Sequence, residues 1–464
     1  MADVSEIDAA TAAELRVSAA AYRPASLAAQ TAWVLADSGR APYSSLIGLF
    51  VFSAYFTTVV VPDPVHGQSL WSYIVATAAL IIGIGAPLLG PIADAGGRIK
   101  PWLAAFILLG LPAIGGLWFA TPAMPAAGLR WIVLALIVAK ISIEYASVFV
   151  NALLPRVVGR DRLGLLSGMG QFGSNLLNIA VLLFFLLAWS WNRHPLFGLN
   201  AAAHEPQRAT GIVVALCFGL FSVPLFFLSP DAPAAARSRR EAMREGLRSL
   251  RGTIAKLRLH PNASQFLIAR TVYNEGLIIM MMFTGIFAAG VLKWSPTMLV
   301  IQGILNSVCA AVAGFAAARI DRRIGSKASV VLFVTGALMA NIVLCTVSPG
   351  SVLGIATSAV GDGGMFPRVA DKTFMVLNAL VAVSVTGGFA ASRTMMAKLS
   401  PPTMLAEFFS LYALSGTATS FVGPLAIGIL TAIFHSQRAG IAVGLAFFVG
   451  GLLLLRPVRE DETG

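Results

Sequence analysis

Ionisable residues inside the long apolar runs of this 464-residue chain fall almost entirely in four of twelve runs, evenly spaced along the sequence. Numbered in order, these are the first (Asp37, Arg40), the fourth (Lys140, Glu144), the seventh (Arg270, Glu275) and the tenth (Arg393). The other runs carry charge only at their ends, as at Asp161, Arg162 and Glu407. A charge at the centre of a bilayer costs about 2.5–3.5 kcal/mol on the gentlest scales, so such residues face a partner, a ligand or a wet cavity. One helix in three lining a common path is what a pore assembled from three-helix repeats would produce. The chemistry on offer is ion pairing, capture of a charged solute, and uptake and release of a proton.

Lys140 and Glu144 are four apart, so an intrahelical ion pair is geometrically easy. The same spacing suits a site in which Lys140 meets a substrate carboxylate while Glu144 binds an amine or a proton. Arg270 and Glu275 are five apart and project about 140° from one another on a helix, so each seeks a partner across the cavity or a ligand. Tyr273 and Asn274 lie between them and complete the candidate substrate and proton cavity, whereas Met280, Met281, Met282 and Phe283 read as packing. Asp37, Arg40 and Arg393 fall near the inner ends of their runs and are candidate gate or inner-mouth residues. Proton coupling requires a buried carboxylate with a cation in reach. Glu275 and Glu144 fit best, then Asp37. His66, His194, His204, His260 and His435 all lie in loops or at edges, which excludes a histidine relay. Sodium is the alternative coupling ion, since Asn175, Asn178, Asn274, Gln302 and Asn306 supply oxygens without specifying a site.

The elements that must position these residues follow from composition. A mean hydropathy of +0.81, with 57% apolar and 12% charged residues, describes a polytopic membrane protein. The runs near 43–61, 72–92, 102–120, 131–152, 164–189, 210–228, 264–290, 297–318, 328–347, 373–396, 404–432 and 438–455 are long enough to span a bilayer as helices. The 164–189 and 404–432 runs read as single long helices, because halves would be too short to span. The net charge of +12 reflects topology rather than nucleic acid. With the N-terminus inside, 23 of the 33 Lys and Arg fall on inward loops and tails and seven on outward loops, which puts both termini in the cytoplasm. Cys217, Cys309 and Cys345 lie in apolar runs with no metal-like spacing, so neither a disulfide framework nor a metal site is implied. Asp3, Glu6, Asp8 and Glu14 precede any apolar run, the wrong pattern for a cleaved signal peptide.

The longest inward loop divides the chain into a tail (1–31), a six-helix bundle (32–228), a linker (229–263), a second bundle (264–455) and a tail (456–464). In the linker, Met243, Leu247, Leu250, Ile254 and Leu257 make one apolar stripe among eight basic residues. That pattern fits a basic amphipathic helix on the inner leaflet, or a solvated tie between the bundles. The halves look like copies. Gly90-Pro91-Ile92-Ala93-Asp94-Ala95-Gly96-Gly97-Arg98-Ile99-Lys100 after run two matches Arg319-Ile320-Asp321-Arg322-Arg323-Ile324-Gly325-Ser326-Lys327 after run eight, about 228 residues on. The sequence therefore predicts an all-α polytopic membrane protein whose twelve transmembrane helices form two pseudo-symmetric six-helix bundles.

Gly90, Asp94, Gly97 and Arg98 resemble motif A of the major facilitator superfamily, with Ala95 and Ile99 replacing its usual basic residues. That resemblance implies an Asp that caps a helix of the opposite half and stabilises the outward-open state. Trp33 and Asp37, the stretch Phe266 to Gly276, Ser392-Arg393, Pro401, Ala406 to Tyr412, Gly423-Pro424 and Gln437 to Gly440 together resemble the autophagy-related vacuolar effluxer branch and its bacterial relatives. Ala36-Asp37-Ser38 stands where that family usually has Tyr-Asp-Trp, and Glu275 where it has Asp. The resemblance implies the major facilitator fold and an efflux-type carrier, with amino acids the family's best-known cargo. The expected partners are a small zwitterionic or anionic solute, protons or sodium, and membrane lipids, with no nucleic acid, no cofactor and a monomeric state in the inner membrane. A lipid or amphiphile flippase and a non-transporting assembly or receptor protein are the competing readings. No His-Glu-x-x-His, buried Ser/His pair or aspartyl dyad supports an enzyme.

Overall fold

The computed structural model describes residues 26–94, 98–158, 162–191, 195–231, 259–357, 364–401 and 404–460, with isolated positions 244, 252 and 257. The N-terminal tail, most of the basic linker, Gly97 and Asp161 lie outside the described residues. Twelve helices long and apolar enough to cross a membrane run through the rest. In hydrocarbon every backbone N–H and C=O must bond within its own segment, which leaves the helix as the available form for such runs.

These helices are α1 (Leu27–Val60), α2 (Pro64–Asp94), α3 (Lys100–Phe119), α4 (Ala126–Val157), α5 (Leu163–Ser190) and α6 (Glu205–Leu228) in the first bundle. The second bundle holds α7 (Pro261–Gly290), α8 (Pro296–Ile324), α9 (Ser326–Thr346), α10 (Val369–Leu399), α11 (Leu405–Thr417, then Val422–Phe434) and α12 (Gln437–Leu455). A two-residue hairpin, β1 (Ser351–Val352) against β2 (Ile355–Ala356), closes part of the loop after α9. α7 and α1 are the most enclosed helices, with 78% and 72% of their apolar windows buried. α7 meets α1 across the bundle interface, and α2 packs against α11.

An even number of crossings puts both chain ends on one membrane face, here called the terminal face. The bundles touch at the opposite face. There Gln68 Nε2 donates to Thr431 Oγ1 at 2.9 Å and to the Gln437 carbonyl at 3.0 Å, and Ser69 donates to the Gly428 carbonyl at 3.0 Å. Ser190 at the end of α5 bonds Thr297 at the start of α8. Glycine permits the close approach: a Cβ on Gly285 would strike the Leu49 carbonyl, and one on Gly303 would sit 2.9 Å from the Phe50 ring. Toward the terminal face the same α5 and α8 leave Leu165, Met169, Phe172 and Phe315 exposed. The bundles are joined at the far face by these hydrogen bonds and close contacts.

Two expectations about helix extent change. α1 begins at Leu27, so Asp37 sits ten residues into the helix, and it is buried. The 404–432 run is one crossing but not one helix: it breaks at Ala418–Phe421. Pro424 has no N–H to give the Ser420 carbonyl, and its ring would clash with that carbonyl in a continuous helix. The chain turns and restarts at Val422.

Each bundle is fastened on the terminal face by the same device. In the first, Asp231 accepts from the backbone N–H groups of Ile99 (3.0 Å) and Lys100 (3.3 Å) at the start of α3, with Arg156 at 3.7 Å. In the second, Glu460 accepts from the N–H groups of Ser326 (2.9 Å) and Lys327 (3.0 Å) at the start of α9, and from Lys398 Nζ at 2.6 Å. Lys100 reaches the carbonyls of Phe226 and Ser229, and Lys327 that of Arg456. A carboxylate at a helix N-terminus answers both its open N–H groups and its dipole. Burial raises the Glu460 carboxyl, but the Lys398 bond and the two backbone N–H groups outweigh it and leave the group below its ordinary value.

Candidate transport site

α1 and α4 carry two charge pairs. Arg40 donates through Nε and Nη2 to Asp37 Oδ1 at 3.2 and 2.5 Å. Lys140 Nζ meets Glu144 Oε1 at 2.5 Å, both side chains partly exposed near the middle of α4. The i,i+3 and i,i+4 spacings place each pair on one helix face. Trp33 Nε1 donates to the Val150 carbonyl at 2.7 Å, tying α1 to α4. The Trp33 ring and Asp37 fill the space that Gly170 of α5 leaves by having no Cβ.

α7 carries the other set, each side chain aimed differently. Tyr273 shares a 2.7 Å hydrogen bond with Ser392 of α10. Glu275, 2% exposed, accepts from Thr419 Oγ1 at 2.9 Å and from the Gly423 N–H at 3.0 Å. Its carboxylate thus sits at the restarting N-terminus of α11, where the dipole favours negative charge. Arg270 lies beside the preceding half-helix. Its Nη1 donates to the Tyr412 carbonyl (2.8 Å) and Ser415 Oγ (2.6 Å), and its guanidinium stacks 3.5 Å over the Tyr412 ring. A cation near the helix C-terminus and an anion at the next N-terminus complement the two ends that the break exposes. That break was legible as Gly423-Pro424. Thr419, Ser415 and Tyr412, its partners on α11, had no sequence signal beyond proximity to it.

The structure thus brings Arg270, Tyr273, Asn274 and Glu275 onto one buried stretch of α7, and Asp37, Arg40, Lys140 and Glu144 onto α1 and α4. It pairs Asp37 with Arg40 and Lys140 with Glu144; it does not pair Arg270 with Glu275. Arg393 is exposed on α10. Of motif A, Arg98 is exposed, Gly90 and Asp94 end α2 with the Asp94 side chain outside the described residues, and Gly97 is outside them altogether. At the second copy, Asp321 Oδ1 is buried without a hydrogen-bond partner. Among the described residues there is no cluster of three or more His, Cys, Asp or Glu able to hold a metal.

The model of the family described as "Vacuole effluxer Atg22 like" matches residues 163–463, more than half of the chain. An uncharacterized MFS-type transporter, YxiO, of Bacillus subtilis (strain 168) is 23% identical over 453 residues, covering 94% of this chain and 95% of that protein. Autophagy-related protein 22 of Cryptococcus neoformans is 25% identical over 273 residues, which is 58% of this chain and only 47% of that one. The fold is similar to a D-xylose-proton symporter (TM-score 0.63, 14% identity, 94% and 98% of the two chains). It is also similar to a POT family transporter in complex with 5-aminolevulinic acid (TM-score 0.63, 12% identity, 92% and 95%). These last two likenesses speak to fold alone. A twelve-helix membrane fold and the family match through most of the chain converge: this protein belongs to the Atg22-like vacuole effluxer family and is a transporter of the major facilitator type, not an enzyme.

Proposed function

We propose that the protein is a proton-coupled secondary transporter that moves a small zwitterionic or anionic solute, such as an amino acid, across a bacterial inner membrane by alternating access. The observation that carries this reading is Glu275. Among the described residues, the interior carboxylates Asp37 and Glu144 each have a cation within hydrogen-bonding distance, while Glu275 is held by one hydroxyl and one amide N–H. Unlike Asp37 and Glu144, it can gain and lose a proton without breaking an ion pair. Its contact with the restarting end of α11 ties that proton to the geometry of a broken helix, the kind of backbone that lines transport sites in membranes.

The positive-inside distribution of Lys and Arg supports cytoplasmic termini, so the terminal face is the inner one. Motif A, with Asp94 and Arg98, is the expected latch of the outward-open state. Asp321, with its unpartnered oxygen, is a group that this state could satisfy. In proteoliposomes under an imposed pH gradient, Glu275→Gln should lose gradient-driven uptake while retaining exchange of labelled for unlabelled cargo. Full pH-dependent uptake by that variant would overturn the assignment.

A further inference from the structure

Counting the interior cations by their partners singles one out. Arg40 is engaged by Asp37 and Lys140 by Glu144. Arg270 is 7% exposed, yet its partners are all neutral: the Tyr412 carbonyl, Ser415 Oγ and the Tyr412 ring. Those contacts use Nη1 and one face of the guanidinium. The remaining edge, Nε and Nη2, has no protein acceptor, and neither atom is sealed from solvent-sized space. One turn further along α7, on the same helix face, Asn274 is 4% exposed and its side-chain amide likewise has no hydrogen-bond partner and is not sealed. A buried cation with unmet donors is costly to keep. Gly416 faces the Nη1/Nη2 end of the guanidinium, where a Cβ would lie 3.2 Å from Nη2 and 3.4 Å from Nη1. A larger residue there would press on the guanidinium and shift its plane.

We propose that the Nε/Nη2 edge of Arg270, with Asn274 beside it and Gly416 leaving room for the guanidinium, is the subsite that takes the cargo's carboxylate. Resting on the transporter reading above, it moves that role from Lys140, whose ammonium is already engaged, to α7. A guanidinium edge presents two parallel N–H donors that match the two oxygens of a carboxylate, a geometry an ammonium does not offer. The Tyr412 stack and the Nη1 bonds fix the plane of the guanidinium, so the free edge is pre-oriented. Filling it with an anion also supplies the countercharge that the protein withholds.

Two arms test this in the purified full-length chain. In the first, Gly416→Asp places a carboxylate in cis within reach of Nη2. It should raise the Tm by a few degrees in the wild-type background and lower it in Arg270→Gln, where the new charge has no cation. Equal destabilisation in both backgrounds would overturn the open edge. Gly416→Ala, which adds the Cβ without the charge, serves as the packing control. In the second, the proteinogenic L-amino acids and their carboxamides are compared as thermal stabilisers. Some acids should stabilise the wild type while their amides do not, and Arg270→Gln and Gly416→Asp should each abolish that shift. Equal shifts for acid and amide, or none for either, would overturn the subsite. If the cis-carboxylate effect appears but wild-type proteoliposomes exchange no compound of the set, the transport reading fails and the anion edge stands.

Discussion

Glu460→Gln tests the fastening of the second bundle, and its effect can be worked from the contacts it removes. The carboxylate accepts from Ser326 N, Lys327 N and Lys398 Nζ. Lys398 is 42% exposed, so its ion pair is screened and worth about 0.2–1 kcal/mol. A negative charge at the N-terminus of α9 adds about 0.3–1 kcal/mol. Gln keeps one oxygen that can accept from one N–H, so about one further hydrogen bond is lost, roughly 0.5–1.5 kcal/mol. The sum is about 1–3.5 kcal/mol. Because Glu460 titrates below its ordinary value in the folded chain, the unfolded chain takes up the proton first as pH falls. The contribution is therefore whole above the unfolded value, about pH 4.3, and disappears as pH drops through the folded one. Thermal unfolding in nanodiscs at neutral pH should show Glu460→Gln less stable than wild type, and the gap should shrink on acidification below about pH 4. A variant as stable as wild type at neutral pH, or a gap independent of pH, would refute the reasoning.

Glu144→Gln should strand Lys140 and lower stability by about 1–2 kcal/mol, with Lys140→Gln/Glu144→Gln recovering part of the loss. A double variant no more stable than the single one would mean the pair does not neutralise itself. Gly285→Val should wedge α7 from the Leu49 carbonyl of α1 and open the far face. A cysteine at Ser53, which is fully buried, should then react with an impermeant maleimide from that face several-fold faster. Unchanged labelling would count against α1–α7 contact as the closing seam.

Much of the fold was legible because a membrane leaves a chain few choices. Runs of the right length must be helices. Boundaries were less legible where composition is bland: Leu27-Ala28-Ala29-Gln30-Thr31-Ala32 is too weakly apolar to announce the first turns of α1. The break in α11 was written in Gly423-Pro424, but length argued for one helix and took precedence over local chemistry. The Asp231 and Glu460 fastenings could have been found by extending the repeat, since the two acids are separated by nearly the offset that relates the two loop copies. Within the site, four-residue spacing gave the Lys140–Glu144 pair directly. Five-residue spacing said only that Arg270 and Glu275 would look elsewhere. That they would find opposite ends of a broken α11 depends on packing, which no local pattern encodes.

The claim at the centre of this account is that cargo and a proton move together through Glu275. The most direct measurement is proton flux during transport, read with a pH-sensitive dye trapped in proteoliposomes while cargo enters down its own gradient. The account predicts a pH change inside wild-type vesicles that tracks cargo entry and vanishes in Glu275→Gln, although that variant still exchanges cargo. Cargo entry without proton movement in the wild type, or unchanged proton flux in Glu275→Gln, would contradict it.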